Sequence, residues 1–529
     1  MPRIILAISF IIFSFCSVAQ NYTINNERTI SALYNIQIDT SADVHSSIKP
    51  LYKNELKQYD STMTGLNVKT NSGFVKTLMN YNLDKDPHEN TAEIMLSPIL
   101  ATGFTYEKNS LGSDNFLDLS AGLNLNMHIK KKWTGNFVYL WDFSKYPSYV
   151  DTLIKTKNIS PGYGYTDGDK GFYAQGNLTF TADDHFTFQL GYGKNFIGDG
   201  YRSLFLSDNA FSYPYLKLTA NIWKLKYMAL YSSYEDIRGS GGSYSNFFHK
   251  FSTVHYLSYN ATKWLNFGFF ESIIWQAQED GYYRGFDAYY LNPVIFLRPA
   301  EYAQGSSDNA FLGGSMKIRI KKKNILYSQL LFDEFLLKEL KAGNGWWANK
   351  YGIQLGLKSY DFLWVKNLTL QLEYNTVRPF TYSYYHVPGN ISTLQNYGHY
   401  NAALAHPLGA NFKELMGGLT YTEKRWIVEG TATWAKVGLD TSATTSIGQD
   451  IFKAYNTRAQ NYGYVTGGGL STDILNGTLK ASYVINPKTN FIFQVGITNR
   501  IIRNQHVKAS NQLFFIGLKT AITNRYTDY

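Results

Sequence analysis

The chain has 529 residues, a formal charge of +10 and a mean hydropathy of −0.27. Its one cysteine, Cys16, excludes a disulfide framework, and no run approaches eighteen uninterrupted apolar residues, which excludes a transmembrane helix. Aromatic residues make up 16%, with 43 Tyr and 10 Trp, an excess suited to membrane-interface girdles or to a sugar-stacking surface.

In chain order, residues 1–19 read as a secretory signal: Arg3 supplies the positive start, Ile4 to Phe15 a short apolar run, and Ser17-Val18-Ala19 a small-residue cleavage site before Gln20. Ser14-Phe15 ahead of Cys16 are not the small residues that a lipoprotein signal needs. In an exported chain the positive charge suits anionic lipid head groups or acidic polysaccharide, and nucleic acid is not expected as a partner. Residues 20–92 are polar and lack sustained alternation. They read as an N-terminal periplasmic segment, with an amphipathic helix expected within Ser46–Tyr59 from Pro50 onward; a plug and an unstructured leader are open alternatives.

From Glu93 to Tyr529, strand-like segments recur. Leu479, Ala481, Tyr483 and Ile485 alternate with Lys480, Ser482 and Val484. After the turn Asn486–Asn490, Phe491, Phe493, Val495 and Ile497 alternate with Ile492, Gln494, Gly496 and Thr498. Each strand is therefore apolar on one face and largely polar or small on the other. Connections alternate between short and long. Lys130–Lys132, Ala182–Asp184, Ala261–Lys263, Lys321–Lys323 and Glu423–Arg425 are short, whereas 144–170, 195–213, 234–250, 276–308, 335–349 and 377–411 are long. With 438–467 as one loop and 468–486 as one strand, the count is eighteen, an even number that leaves both termini in the periplasm. The expected fold is all-β: an antiparallel outer-membrane barrel of about eighteen strands with long surface loops. Tyr529, a terminal aromatic, fits recognition by barrel-insertion machinery.

Three segments carry a resemblance. The first is Gly198-Asp199-Gly200-Tyr201-Arg202 through Leu206-Ser207-Asp208-Asn209-Ala210 to Tyr213-Pro214-Tyr215. The second is Tyr289-Tyr290-Leu291-Asn292-Pro293, with Asn309–Gly313 and Tyr327–Glu334. The third is Arg378-Pro379-Phe380-Thr381-Tyr382, with Asn396–Tyr400 and His406–Asn411. Together they resemble the Wzi-like capsule assembly proteins, including members associated with gliding motility. The resemblance implies an eighteen-stranded outer-membrane barrel that attaches or organises surface polysaccharide without catalysis. The family's Trp-containing Gly-Pro-Gly turn is here Phe196-Ile197-Gly198-Asp199-Gly200.

The candidate chemistry is sparse. Arg202 lies between Asp199 and Asp208, and a buried Arg–carboxylate pair there would pin the loop inside the barrel; contact with an acidic glycan is the alternative. Asp333 and Glu334 point to opposite faces of a strand, and Glu271 with Asp287 would form an acid–base pair only if the fold brought them together. His399 and His406 lack two further ligands for a metal, and no nucleophile elbow supports a hydrolase; no cofactor is implied. Trp346-Trp347 after Gly343-Asn344-Gly345, and Tyr382, Tyr384, Tyr385, Tyr397 and Tyr400, suit either sugar stacking or interfacial anchoring. The expected glycan contacts are Arg202, Asp208, Asn209, Trp346, Trp347, Arg378, Tyr382, His399 and Tyr400, with Asp199, Arg202 and Asp208 as loop pins. The expected partners are outer-membrane lipid, surface polysaccharide and other envelope or motility proteins. A porin for small solutes is the runner-up, and the chain is too small for a TonB-dependent transporter.

Overall fold

A computed structural model describes residues 23–56, 66, 92–130, 132–157, 171–238, 246–279, 282–293, 308–385 and 394–529. The expected leader, 1–19, lies outside these.

Eighteen antiparallel strands, β1 (Ala92–Asn109) through β18 (Lys508–Thr520), pair in sequence order and close where β1 meets β18, from Ala101 opposite Lys519 to Asn109 opposite Asn511. Closure joins the two ends of the sheet, as strands in hydrocarbon require, while Ala92–Leu100 extend past the seam and pair with Ala121–Ile129. The strands β16 (Leu470–Asn486) and β17 (Phe491–Arg503) carry the hairpin read from the sequence, with Leu479 opposite Ile497 and Tyr483 opposite Phe493. Leu479 and Ile497 are exposed on the outer wall, with Leu100, Phe104, Leu123, Leu419 and Phe514. Trp133, Trp223, Trp264, Trp364 and Trp426 are exposed at the short-turn end, forming the aromatic ring that marks one membrane interface. Lys321–Lys323 is a solvated three-residue turn: Lys321 and Lys322 hold φ of 50° and 59°, left-handed values of a mirror-image turn that Lys323 N closes by donating to Ile320 O.

The lumen is occupied by protein. Residues 23–56 sit at its short-turn end and bond to strands all around the wall. Asp39 accepts from Lys358 Nζ at 2.8 Å and Tyr360 Oη at 2.6 Å, His45 meets Ser258 at 2.8 Å, and Lys480 donates to Thr29 at 3.0 Å. Contacts with strands this far apart are possible only from inside the barrel. The helix expected from Pro50 is replaced, over the described residues, by a 3-10 turn at Lys53–Glu55, while Ile48–Lys49 pairs antiparallel with Phe196–Ile197 of the loop 194–212. Further along, the chain 394–411 and the tail 521–529 also fold inward. Tyr529 is therefore not on the last strand: it lies in the lumen, where its carbonyl accepts from Arg500 at 3.1 and 3.2 Å.

A filled lumen explains why several inward positions are apolar. Val484 and Ile492, on the polar side of their hairpin, are fully buried against Ile24, Ile30 and Leu51. Deeper, Phe205 stacks on Phe270 with centroids 4.5 Å apart and planes 4° from parallel, a contact worth about 0.5–1.5 kcal/mol beyond its buried area. Residues 282–293 instead lie over the outer wall, where Trp275 Nε1 donates to Gly285 O and Thr253 Oγ1 to Tyr290 O.

Candidate glycan-binding site at the barrel mouth

The candidate residues fall into two groups: an interior network and a half-exposed cluster among the long loops. Arg202 is fully buried and anchors the interior. Its carboxylate partners are not Asp199 and Asp208 of its own loop but Glu414 Oε1 at 3.0 Å and Asp528 Oδ1 at 3.0 Å. The loop turns its backbone toward the wall as well: Tyr201 N and Arg202 N donate to the two oxygens of Glu373 at 2.6 and 2.9 Å. Burial would lower the Arg202 pKa, but the charges of Asp528 and Glu414 outweigh it and hold the guanidinium well above its usual value.

The other loop acids pair elsewhere. Asp199 faces Lys317 Nζ at 3.2 Å and also bonds Ser46. Asp208 accepts from Asn524 at 2.7 Å and Tyr526 at 2.5 Å, fastening the loop to the C-terminal tail. Lys194 donates to the Asp208 carbonyl at 3.2 Å; burial pushes its pKa down to about 8, against the pull of Asp208.

Tyr382 and His399 are likewise removed from solvent. Tyr382 donates from its hydroxyl to Leu204 O at 2.7 Å, and its backbone N–H reaches Asp333 at 2.9 Å. His399 Nδ1 accepts from Glu235 N at 2.9 Å while Nε2 meets Ser212 O at 3.2 Å, so a neutral imidazole satisfies both partners. Burial holds its pKa down at about 3. Tyr400 packs edge-on against Phe211 and Phe247, and Asn209 donates to Ala403 O at 3.0 Å. Arg202, Asp208, Tyr382, His399 and Tyr400 are therefore loop-locking residues, because burial removes them from contact with a polymer outside.

Trp346, Trp347 and Arg378 remain near the surface and meet at one place. The loop around Trp346 runs beside a later one: Trp347 N donates to Asn461 O at 3.0 Å, Gly463 N to Asn344 O at 2.9 Å and Tyr464 N to Gly345 O at 3.0 Å. Gly345 has φ +69°, and a Cβ there would sit 2.8 Å from Tyr464 N, so only glycine fits. Arg378 crosses beneath, donating to Asn349 O and Trp346 O at 3.1 Å each and to Tyr464 O at 3.4 Å. Burial lowers its pKa. With three donors on backbone carbonyls, Arg378 braces three loops.

Trp347 is also engaged. Arg458 lies 3.8 Å from its ring centroid, and Tyr455 packs 4.8 Å away. The groups left facing solvent are Trp346, half-exposed, with Tyr462, Asn344, Asn461 and Gln460. Tyr462, Asn461 and Arg458 were missed in the sequence, although Tyr455-Asn456-Thr457-Arg458-Ala459-Gln460-Asn461-Tyr462 has the aromatic and amide character that marked the other loops.

The remaining candidates have separate partners. Glu271 faces His255 at 3.2 Å, whereas Asp287 faces Arg284 at 2.9 Å. A bulge after Phe332 brings Asp333 and Glu334 within 3.9 and 3.1 Å of Lys350. His406 bonds Glu414 at 2.8 Å, and no metal-binding group of His, Cys, Asp and Glu occurs among the described residues.

No protein-family model matches the sequence, and no curated protein sequence matches it. Among solved structures, the chain is similar to Wzi of Escherichia coli, an outer-membrane carbohydrate-binding β-barrel involved in group 1 capsule assembly. The TM-score is 0.54 at 10% identity, over 96% of this chain and 100% of that one. OpdL of Pseudomonas aeruginosa covers 81% of this chain and 99% of its own at 9% identity and TM-score 0.42. OccAB4 of Acinetobacter baumannii covers 82% and 99% at 12% identity and TM-score 0.41. The Wzi likeness establishes the shared barrel fold.

Proposed function

We propose that this protein is a non-enzymatic outer-membrane barrel whose long-loop end binds cell-surface polysaccharide, supporting capsule or exopolysaccharide assembly or gliding motility. One observation carries the reading. The interior is filled by the chain itself, while the loops at one end are braced into a fixed aromatic and amide surface. Flat rings such as Trp346 and Tyr462 stack on sugar faces, and Asn344, Asn461 and Gln460 are placed to bond hydroxyls. Bracing by Arg378 and by paired loop backbones lowers the entropy lost when a polymer binds. In this orientation the short turns and both termini are periplasmic.

The segments that resemble the Wzi-like proteins support the polysaccharide reading, and the gliding-associated members within that resemblance are the ground for a role in motility. The packed lumen argues against a porin, for which a steady open conductance in a planar bilayer is the signature. The reading is tested in cells lacking the protein. Wild-type chain restores retention of surface polysaccharide and Trp346→Ala/Tyr462→Ala does not; restoration by that variant at equal surface level would overturn it.

A further inference from the structure

A groove of about 890 Å³ opens on the outer wall, on the side of the closing seam. Its floor is one lateral row of register partners across six strands: Lys108, Gln512, Asn499, Gly477, Ala432 and Gly417. The row thus begins with three exposed polar side chains and continues as three stubs. The row on the short-turn side is apolar, with Tyr106, Phe514, Ile497 and Leu479 exposed. On the loop side, Leu415, Trp434, Leu475 and Ile501 form a second ridge, which drops to Ser510 beside the polar end of the floor. Beyond that gap lie Arg503 and Lys508, paired neighbours in a row that also carries Lys436, Lys413 and a single acid, Asp473.

The stubs are not needed by the backbone. A Cβ on Gly477 would meet nothing within 4 Å, and on Gly417 only Leu372 at 3.5 Å. Glycine inside a strand weakens it and marks a close approach by something else. In this wall the surrounding medium is hydrocarbon, where Lys108, Gln512 and Asn499 are unfavourable without polar company.

We propose that the groove seats an anionic membrane lipid, one acyl chain lying over Gly477, Ala432 and Gly417 and the phosphate-bearing head held by Lys108, Arg503 and Lys508. The floor spans about 24 Å at ~4.8 Å per strand, enough for a long chain. Because barrel strands tilt, a row across them runs obliquely through the membrane. Its polar end, one residue from the tip of β1, lies nearer the long loops, so the head sits at the interface while the chain descends. The surplus of cations over the lone Asp473 selects an anion, and Gln512 and Asn499 bond the ester region.

The test is native mass spectrometry of the full chain in detergent, titrated with phosphatidylglycerol and, separately, phosphatidylcholine. The expected result is one saturable phosphatidylglycerol adduct, about tenfold tighter than phosphatidylcholine. Gly477→Leu fills the trough and weakens the adduct about tenfold or more while the barrel stays heat-modifiable. Lys108→Gln/Lys508→Gln brings the two lipids to within about twofold of each other. Equal binding of the two lipids by wild type, or undiminished binding by Gly477→Leu, would overturn the proposal. A dimer that Gly477→Leu dissociates would also overturn it, assigning the groove to a second copy of the chain.

Discussion

Replacing Arg202 with methionine keeps much of the side-chain volume and removes one charge from the centre of the lumen. Glu414 and Asp528 then face each other across a buried site with their shared cation gone. At 3.0 Å each pair has a Coulomb term of roughly 5 kcal/mol for an effective dielectric near 20, a ceiling that desolvation reduces. Truncating one partner of a buried pair typically costs about 3–5 kcal/mol. The barrel wall keeps its ladder of hydrogen bonds, so the loss falls on the loop from Gly198 to Phe205 and on the tail from Asn524 to Tyr529. Hydrogen exchange at those amides reports the local opening equilibrium. It is expected to accelerate by about two to three and a half orders of magnitude, while exchange in the strands stays put. Arg202→Met/Glu414→Gln removes one carboxylate along with the cation, so part of the protection returns. Exchange in Arg202→Met within about threefold of wild type would refute the reasoning, because the backbone bonds to Glu373 would then suffice to hold the loop.

Three further outcomes are expected. His399 has its folded pKa depressed by burial to about 3, so the unfolded loop binds the proton more readily. Its contribution is complete above pH ~6.5 and is lost as pH falls toward 3, by about 2 kcal/mol at pH 5. Proteolysis at residues 394–411 should therefore increase between pH 7 and 5, and this pH dependence should weaken in a folded His399→Gln variant; His406 in the same segment, also held down by burial, supplies the remainder. Asp39→Ala leaves Lys358 and Tyr360 without their acceptor and loosens residues 23–56 by about 2–4 kcal/mol, read as faster exchange there. Gly345→Ala places a methyl against Tyr464 N in a left-handed backbone and should cost about 1–3 kcal/mol of loop stability, reducing glycan affinity without changing the thermal stability of the barrel.

The barrel was legible because its rule is local. Side chains such as Leu479 and Lys480 must face opposite ways, and turns such as Lys321–Lys323 interrupt the alternation at bilayer spacing. The lumen contents were not, since a plug obeys no period. Residues 23–56 look like any polar leader until their partners are known, although Val484 and Ile492 on a nominally polar face hint that something apolar covers them. Arg202 shows the same limit: proximity in sequence favours Asp199 and Asp208, but the fold supplies Glu414, 212 residues away. Aromatic loops were recognisable as a class. Which rings stay free was not, because Arg458 and Tyr455 occupy Trp347 from a loop more than a hundred residues later.

The most direct test of the central claim is equilibrium binding of the producing cell's purified surface polysaccharide to the detergent-solubilised barrel, wild type against Trp346→Ala/Tyr462→Ala. Saturable binding, weakened about tenfold or more by the double substitution while the barrel stays heat-modifiable, is the predicted result. No binding by a folded wild-type barrel, or equal binding by both, would contradict the account.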